Sequence, residues 1–261
     1  EALVVASGMA AVSAIMYALA DSGDEVAYIG PLYGGTDAFL KQTFSRAGIK
    51  VTAYESDRDL LANIRPATRV ILFETLTNPT LKVVDPRVVV EAARKVGAIT
   101  VCDNTFLTPY LLRPLELGID LVMHSGTKYL GGHGDIIAGV VAGSHELMKS
   151  VRTVALKHIG SPIGPQEAYL LQRGVKTLPL RMDAHLHNAQ KVAEFLAAHP
   201  AVKKVIYPGL ANHPGHDALG AFASGFGGMV SIELEGGFER CATLLDNLQL
   251  FVQAVSLGDL E

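Results

Sequence analysis

The sequence predicts an α/β protein with a largely parallel sheet, followed by a smaller α+β region. From Leu3 to Leu147, apolar runs of strand length alternate with longer amphipathic segments, as in βαβ units. After Thr177 one long amphipathic segment precedes shorter runs of alternating polarity. The composition fits a large buried core, because 49% of the 261 residues are hydrophobic and 18% are charged.

The element boundaries follow from the apolar period. Strands are predicted at 4–7, 25–29, 51–54, 70–74, 98–102, 121–124 and 136–141. Helices are predicted between several of them, for example at 9–20 and 86–96. The second region is expected to hold a helix at 180–198 and strands at 203–207 and 228–234. We therefore predict a large domain at 1–178 and an incomplete small domain at 179–261.

Charge and composition exclude several classes of function. The net charge of −4 and the pI near 6.1 give no basic surface for nucleic acid. No apolar run has the length of a membrane span, and the start does not look like a signal peptide. Two cysteines, Cys102 and Cys241, cannot form a disulfide framework. A cytoplasmic protein without membrane or nucleic-acid partners is expected.

A lysine and an aspartate stand where predicted strands end. Lys128 follows the run 121–124 in the loop Ser-Gly-Thr-Lys, and Asp103 directly follows the run 98–102. The carboxyl ends of parallel strands meet at one edge of a sheet, where open α/β folds bind ligands. An amine, an acid and neighbouring hydroxyls suit pyridoxal phosphate. The alternatives are a solvated loop lysine and a helix-capping aspartate.

Three further motifs lie in predicted loops at strand ends. Ser7, Gly8 and Met9 lie between a strand and a helix, which suits an anion site or an ordinary N-cap. Tyr33 lies in a glycine-rich turn, where its ring would stack on a flat cofactor or pack on the core. Asn78 precedes a proline, so its amide would point over the strand ends or belong to a structural turn.

The histidines do not predict a metal site. His213 and His216 lie close together in a loop, with His185 and His187 upstream. No cysteine or carboxylate stands near them at the spacing that zinc sites use. We therefore expect surface-loop histidines and no bound metal.

The motifs together resemble the Cys/Met-metabolism family of pyridoxal-phosphate enzymes. The resemblance runs from Ser7 to Glu261 and rests on an ordered series of short motifs. These are 7–9, 33–36, 74–79, 103–106, 113–118, 125–129, 173–177 and 256–258. It implies the fold type I, aspartate aminotransferase-like architecture: a mostly parallel seven-stranded sheet with helices on both faces and a smaller C-terminal α+β domain, here truncated.

The same resemblance implies the cofactor contacts. Lys128 would bind pyridoxal 5'-phosphate as a Schiff base and later shuttle protons. Asp103 would pair with the ring nitrogen, and Asn78 would hydrogen-bond the ring's 3-oxygen. The phosphate would be bound by two backbone N–H groups and two hydroxyls, those of Gly8, Met9, Ser125 and Thr127.

Two residues are implied on the substrate side. Tyr33 would stack over the ring and act as acid–base on the leaving group, and Ser256 would help to bind the substrate carboxylate. The family also uses a tyrosine and an arginine from upstream of Glu1 on the neighbouring subunit's phosphate, and a downstream arginine on the substrate. The chain starts without Met, so we expect a fragment that is inactive alone. Its parent would be a homotetramer of active dimers that share sites.

Within the family, the residues favour a carbon–sulfur lyase that eliminates the γ-substituent of methionine. Gly134 stands where cystathionine γ-lyases tend to have Ser, and the ending Ser-Leu-Gly-Asp-Leu-Glu261 is lyase-like. Gly35 is a departure, because many methionine γ-lyases have a reactive cysteine at this position. Cystathionine γ-lyase and the γ-replacement enzymes, cystathionine γ-synthase and O-acetylhomoserine sulfhydrylase, therefore stay open as alternatives.

Overall fold

A seven-stranded, mostly parallel sheet forms the centre of the computed structural model, which describes residues 1–260. Glu261, used above to weigh the substrate, lies outside the described residues. The strands are β1 (Ala2–Val5), β2 (Glu25–Ile29), β3 (Lys50–Tyr54), β4 (Thr68–Glu74), β5 (Ile99–Asp103), β6 (Leu121–Ser125) and β7 (Gly139–Gly143). Their order in the sheet is β1-β7-β6-β5-β4-β2-β3. The predicted fold class is confirmed.

The direction of the strands determines which loops meet. The five strands β3, β2, β4, β5 and β6 are parallel neighbours, whereas β7 pairs antiparallel with both β6 and β1. Two reversals restore the direction, so β1 runs the same way as β6. The loops that follow β1, β4, β5 and β6 therefore open at one edge of the sheet.

Helices cover both faces of the sheet. They are α1 (Gly8–Leu19), α2 (Gly34–Ala38), α3 (Asp57–Asn63), α4 (Pro86–Val96), α5 (Thr108–Leu111), α6 (His145–Thr153) and α7 (Pro165–Val175). In β4, Val70 and Leu72 pack in the cluster under α1 and α6, whereas Ile71 and Phe73 pack in the cluster under α4. The central strands are thus buried on both sides, as parallel sheets require.

Local signals fix the ends of α1 and α4. The Ser7 hydroxyl accepts a hydrogen bond from the Ala10 N–H (3.0 Å), which caps α1. Asp85 caps α4 in the same way and is followed by Pro86 at the first helical position. Gly97 ends α4 in the left-handed region, at φ +72°. These boundaries keep α1 and α4 in the predicted places.

The strand predicted at 136–141 is shifted in the structure, where β7 covers Gly139–Gly143. The reason is a competing set of hydrogen bonds at Ala138. Its N–H donates to the Thr127 hydroxyl (3.1 Å), and its carbonyl accepts from the Thr127 N–H (3.2 Å). Residue 138 therefore holds the loop after β6 and does not join the ladder.

The second region contains a long helix and a small sheet. Helix α8 covers Leu178–Ala197, and β8 (Val202–Ile206) pairs antiparallel with β9 (Ser231–Leu234). Two shorter helices, α9 (His216–Gly220) and α10 (Gly237–Asp246), complete it. The division of the chain after residue 178 stays a prediction. Within residues 1–260, no helix combines the length and hydropathy that crossing a bilayer requires.

A buried arginine ties α8 to the loop that carries Lys128. Arg181 is 6% exposed, and its guanidinium donates to the Tyr129 carbonyl (2.7 Å), the Gly174 carbonyl (2.8 Å) and the Thr177 hydroxyl (3.0 Å). Burial lowers the pKa of Arg181. All three acceptors are neutral, so no ion pair compensates for burial of the charge. The three hydrogen bonds replace those that the guanidinium would form with water.

We expect Arg181→Met to lower the free energy of unfolding by about 2–4 kcal/mol, since it leaves buried carbonyl groups without donors. Urea unfolding, followed by circular dichroism, measures this loss. The matched control is Arg173→Met, which removes an exposed arginine from neighbouring α7 and should change stability by less than about 0.5 kcal/mol. Equal losses in both variants would contradict the role of the buried contacts.

Candidate active site

Three polar residues end three adjacent parallel strands at the same edge. Glu74 is the last residue of β4, Asp103 of β5 and Ser125 of β6. The register places Glu74 directly beside Asp103 and Asp103 beside Met123. Two carboxyl groups and a hydroxyl therefore converge where the sheet opens.

A cavity of about 250 Å³ lies over this edge. It brings together all eight residues that the sequence analysis assigned to the cofactor, namely Gly8, Met9, Tyr33, Asn78, Asp103, Ser125, Thr127 and Lys128. Ser256 does not line this cavity, although its neighbours Val255 and Leu257 do. It joins the site through Lys128, whose Nζ donates to the Ser256 Oγ (2.9 Å).

Lys128 lies in the short turn Gly126–Leu130, directly after β6, and its own backbone is non-helical there, with φ −89° and ψ −132°. Burial lowers the pKa of Lys128, and the nearby Asp259 carboxylate opposes this effect. A lower pKa leaves more of the amine unprotonated, which is the form that attacks a carbonyl carbon or removes a proton. The alternative of a fully solvated loop lysine does not fit this position.

The N-terminus of α1 lies close to the loop that carries Lys128. A Cβ on Gly8 would come within 3.1 Å of the Ser125 Cβ, so only glycine fits without a shift. The first N–H groups of a helix have no acceptor inside it and attract anions. Ser7 is the N-cap, so the capping alternative is correct for Ser7 while Gly8 and Met9 still face the cavity.

Asp103 is fixed by a hydrogen-bond relay that links β5 to β6. The Thr105 hydroxyl donates to the Asp103 Oδ1 (2.5 Å) and accepts from the Ser125 N–H (2.8 Å). The Thr105 N–H also donates to the Asp103 Oδ1 (3.0 Å). Burial raises the pKa of Asp103, and both Thr105 donors oppose this effect. Asp103 forms this local turn and does not cap α5, which begins at Thr108.

Glu74 is a site residue that the sequence analysis did not identify. Its Oε1 accepts from the Tyr33 N–H (2.6 Å) and its Oε2 from the Asn78 N–H (3.2 Å). Burial raises the pKa of Glu74 to about 8; the Asp103 charge adds to this, and the two N–H donors oppose it. Like Asp103, Glu74 follows a buried apolar run, and that signal was available in the sequence.

A buried histidine lies beneath these groups. The Nδ1 of His124 lies 3.1 Å from the Asn104 carbonyl oxygen, and burial lowers the pKa of His124 to about 4. Its ring is therefore neutral at physiological pH and supports the backbone between Asp103 and Thr105. It carries no charge to the cavity.

The histidine loop in the second region makes local contacts. The Gly215 N–H donates to the His213 Nδ1 (3.0 Å), and the His216 Nδ1 lies 2.8 Å from the Pro208 carbonyl oxygen. The His216 ring also stacks on Phe226, with 4.7 Å between the ring centroids. Both imidazoles thus contact backbone groups of their own loop and stabilise its turns.

The raised pKa of Glu74 predicts a pH-dependent stability of the cofactor-free protein. The folded state binds the Glu74 proton more tightly than the unfolded state, so stability falls as pH rises from about 4.5 to about 8. His124 has the opposite sign, but its contribution is complete above its ordinary pKa of 6.5. We expect Glu74→Gln to flatten the fall between pH 6.5 and 8 by up to about 1.4 kcal/mol per pH unit, measured by urea unfolding. An unchanged slope would contradict it.

Comparisons with known proteins agree with this geometry. The sequence profile described as Cys/Met metabolism PLP-dependent enzyme matches residues 1–261. The L-methionine gamma-lyase of Pseudomonas putida is 48% identical over 262 residues, which cover 99% of this chain and 66% of that protein. The cystathionine gamma-lyase of Bacillus subtilis (strain 168) is 46% identical over 258 residues, which cover 98% of this chain and 67% of that protein.

A solved structure shares the fold. The cystathionine gamma synthase of Xanthomonas oryzae pv. oryzae, crystallised in complex with cystathionine, has a TM-score of 0.95 and is 38% identical, covering all of this chain and 68% of that chain. The chain thus spans about two thirds of the length of these relatives. The resemblance drawn from the sequence motifs is confirmed: the chain belongs to the Cys/Met metabolism family of PLP-dependent enzymes.

Proposed function

We propose that this chain carries the catalytic core of a carbon–sulfur lyase, which eliminates the γ-substituent of L-methionine or a related amino acid. The products are 2-oxobutanoate, ammonia and a thiol. The observation that carries the proposal is the meeting of the Lys128 amine and the Asp103 carboxyl in one cavity at the carboxyl edge of the sheet. Methionine γ-lyases and a cystathionine γ-lyase are among its relatives.

The residues present fit pyridoxal 5'-phosphate, the cofactor of this family. The cavity offers a buried acid at Asp103, an amine at Lys128 and a helix N-terminus cleared by Gly8. The phosphate would be bound by the N–H groups of Gly8 and Met9 and by the hydroxyls of Ser125 and Thr127. Lys128 would bind the cofactor covalently, and the Asn78 amide would donate to the ring's 3-oxygen.

When bound, this cofactor supplies an electron sink for a carbanion at the substrate α-carbon. Asp103 keeps the sink effective, because its carboxylate favours a protonated ring nitrogen. Thr105 supports that role by donating two hydrogen bonds to the Asp103 Oδ1, which stabilise the ionised carboxylate. The acid is therefore fixed in place before any ligand arrives.

Lys128 and Tyr33 would move the protons. The Lys128 amine, with its lowered pKa, would act as the base that removes the proton from the substrate α-carbon. Tyr33 lines the cavity with its ring 49% exposed, so its hydroxyl has room to donate to the departing γ-sulfur. The Ser256 hydroxyl, next to the Lys128 Nζ, would help to bind the substrate carboxylate.

Two glycines bear on the choice of substrate. Gly134 has φ +66°, and a Cβ there would lie 3.2 Å from the Asp259 Oδ2. Gly134 and Asp259, which belong to the two motifs counted above toward a methionine γ-lyase, therefore lie close together. Gly35 is similar, because a Cβ there would lie 2.6 Å from the Tyr33 ring. A cysteine at 35 would therefore displace the Tyr33 ring from its present position. Since Gly35 departs from the cysteine of many methionine γ-lyases, cystathionine γ-lyase and the γ-replacement enzymes stay open as alternatives.

An exposed apolar face fits the proposed homotetramer of active dimers. Tyr169 and Val175 of α7 are 65% and 43% exposed, and both line a shallow groove with Leu130 and Val140. Leu180 of α8 is a further exposed apolar side chain, at 74%. An exposed apolar groove of this kind marks protein contacts, and we propose a second copy as the occupant. We also propose that the enzyme acts in the cytoplasm.

We expect Lys128→Ala to abolish covalent attachment of the cofactor and to lower kcat by at least about a thousandfold. Borohydride reduction followed by mass spectrometry of the denatured full-length protein measures attachment. Lys203→Ala, which removes an exposed lysine from β8, is the control and should retain the reduced cofactor. Covalent labelling of the Lys128→Ala variant at the same level would refute the assignment.

We expect methionine to be the best substrate of the full-length protein in a panel with cystathionine, cysteine, and O-acetylhomoserine plus sulfide. The readout is the ratio of kcat/KM values, with 2-oxobutanoate and thiol measured separately. Methanethiol release from methionine supports γ-elimination. Faster replacement of acetate by sulfide on O-acetylhomoserine would instead assign a γ-replacement enzyme.

A further inference from the structure

Glu74 occupies a central but indirect place in the site. It is 7% exposed, ends β4 and lies in register with Asp103 of β5. Its side chain lines the cavity, yet its two oxygens are both engaged by backbone N–H groups. Both of its oxygens are therefore engaged by the loops around the cavity.

The two N–H groups belong to separate loops. Tyr33 follows β2 and lies 41 residues before Glu74, whereas Asn78 lies four residues after it. One rigid carboxyl thus connects the loop that presents the Tyr33 ring with the loop that presents the Asn78 amide. The Tyr33 contact, at 2.6 Å, is among the shorter backbone-to-side-chain bonds of the fold.

We propose that Glu74 is a positioning residue, whose carboxyl sets the placement of Tyr33 and Asn78. This inference rests on the proposed function, because it concerns the same cofactor site. It assigns a role to a residue whose two carboxyl oxygens are both engaged by backbone N–H groups. The role is to hold two cavity-lining groups, Tyr33 and Asn78, in one fixed relation.

A second buried glutamate shows what a structural carboxylate looks like in this fold. Glu25, 2% exposed, begins β2 at the opposite edge of the sheet and pairs with Lys50 (2.9 Å) and Arg65 (3.4 Å). Among the residues described, no lysine or arginine forms an ion pair with Glu74 within 4 Å. Glu74 instead lies beside Asp103 and accepts from two backbone amides. This arrangement adds little to the stability of the fold, but it fixes the positions of the two loops that carry the amides.

The neighbouring acid links this role to ligand binding. Two carboxyl groups side by side repel each other when both are ionised. A cation against Asp103 offsets that repulsion, so Glu74 can then bind both amides as a carboxylate, which is the stronger acceptor. Binding at the ring-nitrogen position and ordering of the Tyr33 and Asn78 loops are therefore coupled.

The first test measures amide hydrogen exchange in the cofactor-free, full-length protein. We expect the Tyr33 and Asn78 amides to be protected in the wild type and to exchange about tenfold faster in Glu74→Gln. That variant keeps the size of the side chain but offers only one acceptor oxygen. Glu25→Gln is the matched control and should leave both segments unchanged. Free exchange of both amides in the folded wild type would overturn the proposal without needing any variant to fold.

The second test is a double-mutant cycle on the affinity for pyridoxal phosphate, followed by visible absorbance. We expect Glu74→Gln to weaken binding about tenfold in the wild-type background. In the Asn78→Ala background it should weaken binding less than about threefold. That substitution keeps the backbone N–H that Glu74 binds but removes the side-chain amide that this contact positions. Equal effects in both backgrounds, or an effect no larger than that of Glu25→Gln, would overturn the positioning role.

The outcomes separate this inference from the proposed function. A wild-type protein that never forms a covalent adduct through Lys128 refutes the proposed function, whereas the exchange measurement still decides the role of Glu74. A wild type that loads normally, with additive effects of Glu74→Gln, refutes the positioning role alone.

Discussion

The site depends on the parallel register of β4, β5 and β6. Parallel pairing brings the last residues of neighbouring strands to one edge, and the register places Glu74 beside Asp103 and Asp103 beside Met123, near the end of β6. No flexible loop sets these separations; the strand spacing of about 4.8 Å does. Buried carboxyl groups at that spacing cannot both ionise freely, so each needs donors or a cation. The hydrogen bonds around the cavity answer that need.

Those donors come from loops, and this couples the acids to the rest of the site. Thr105 connects Asp103 to the backbone of Ser125, at the start of the Lys128 loop. Glu74 connects the Tyr33 and Asn78 loops. Arg181 secures the other side of the Lys128 loop through the Tyr129 carbonyl. The Lys128 amine is therefore positioned by contacts to the residues before it and after it in the chain.

The sequence predicts the fold well because its strands are buried on both faces. Continuous apolar runs and a 3.6-residue helix period mark β2, β5 and α4 almost to the residue. The start of β7 was predicted at the wrong residue. Nothing in the local sequence reveals that the backbone groups of Ala138 hydrogen-bond to Thr127. Asp103 stood out because charge directly after an apolar run is costly unless it is used, and Lys128 because it lies in the short loop after another such run. Glu74 carries the same signal as Asp103, but its role depends on two backbone N–H groups that only folding brings near. Arg181 has no such signal, because its acceptors are also brought together only by folding.

The close approach of Gly8 to Ser125 has a consequence for how the site fills. This contact holds the N-terminus of α1 against the Lys128 loop. The anion-binding half is thus preorganised, and little conformational entropy is lost when a phosphate enters it. On the opposite side, the Tyr33 side chain is half exposed and Ser256 lies in an irregular segment outside the core, so fewer contacts restrict these two side chains. A ligand would therefore anchor by its phosphate first, and the aromatic and carboxylate-binding groups would order around a cofactor already in place.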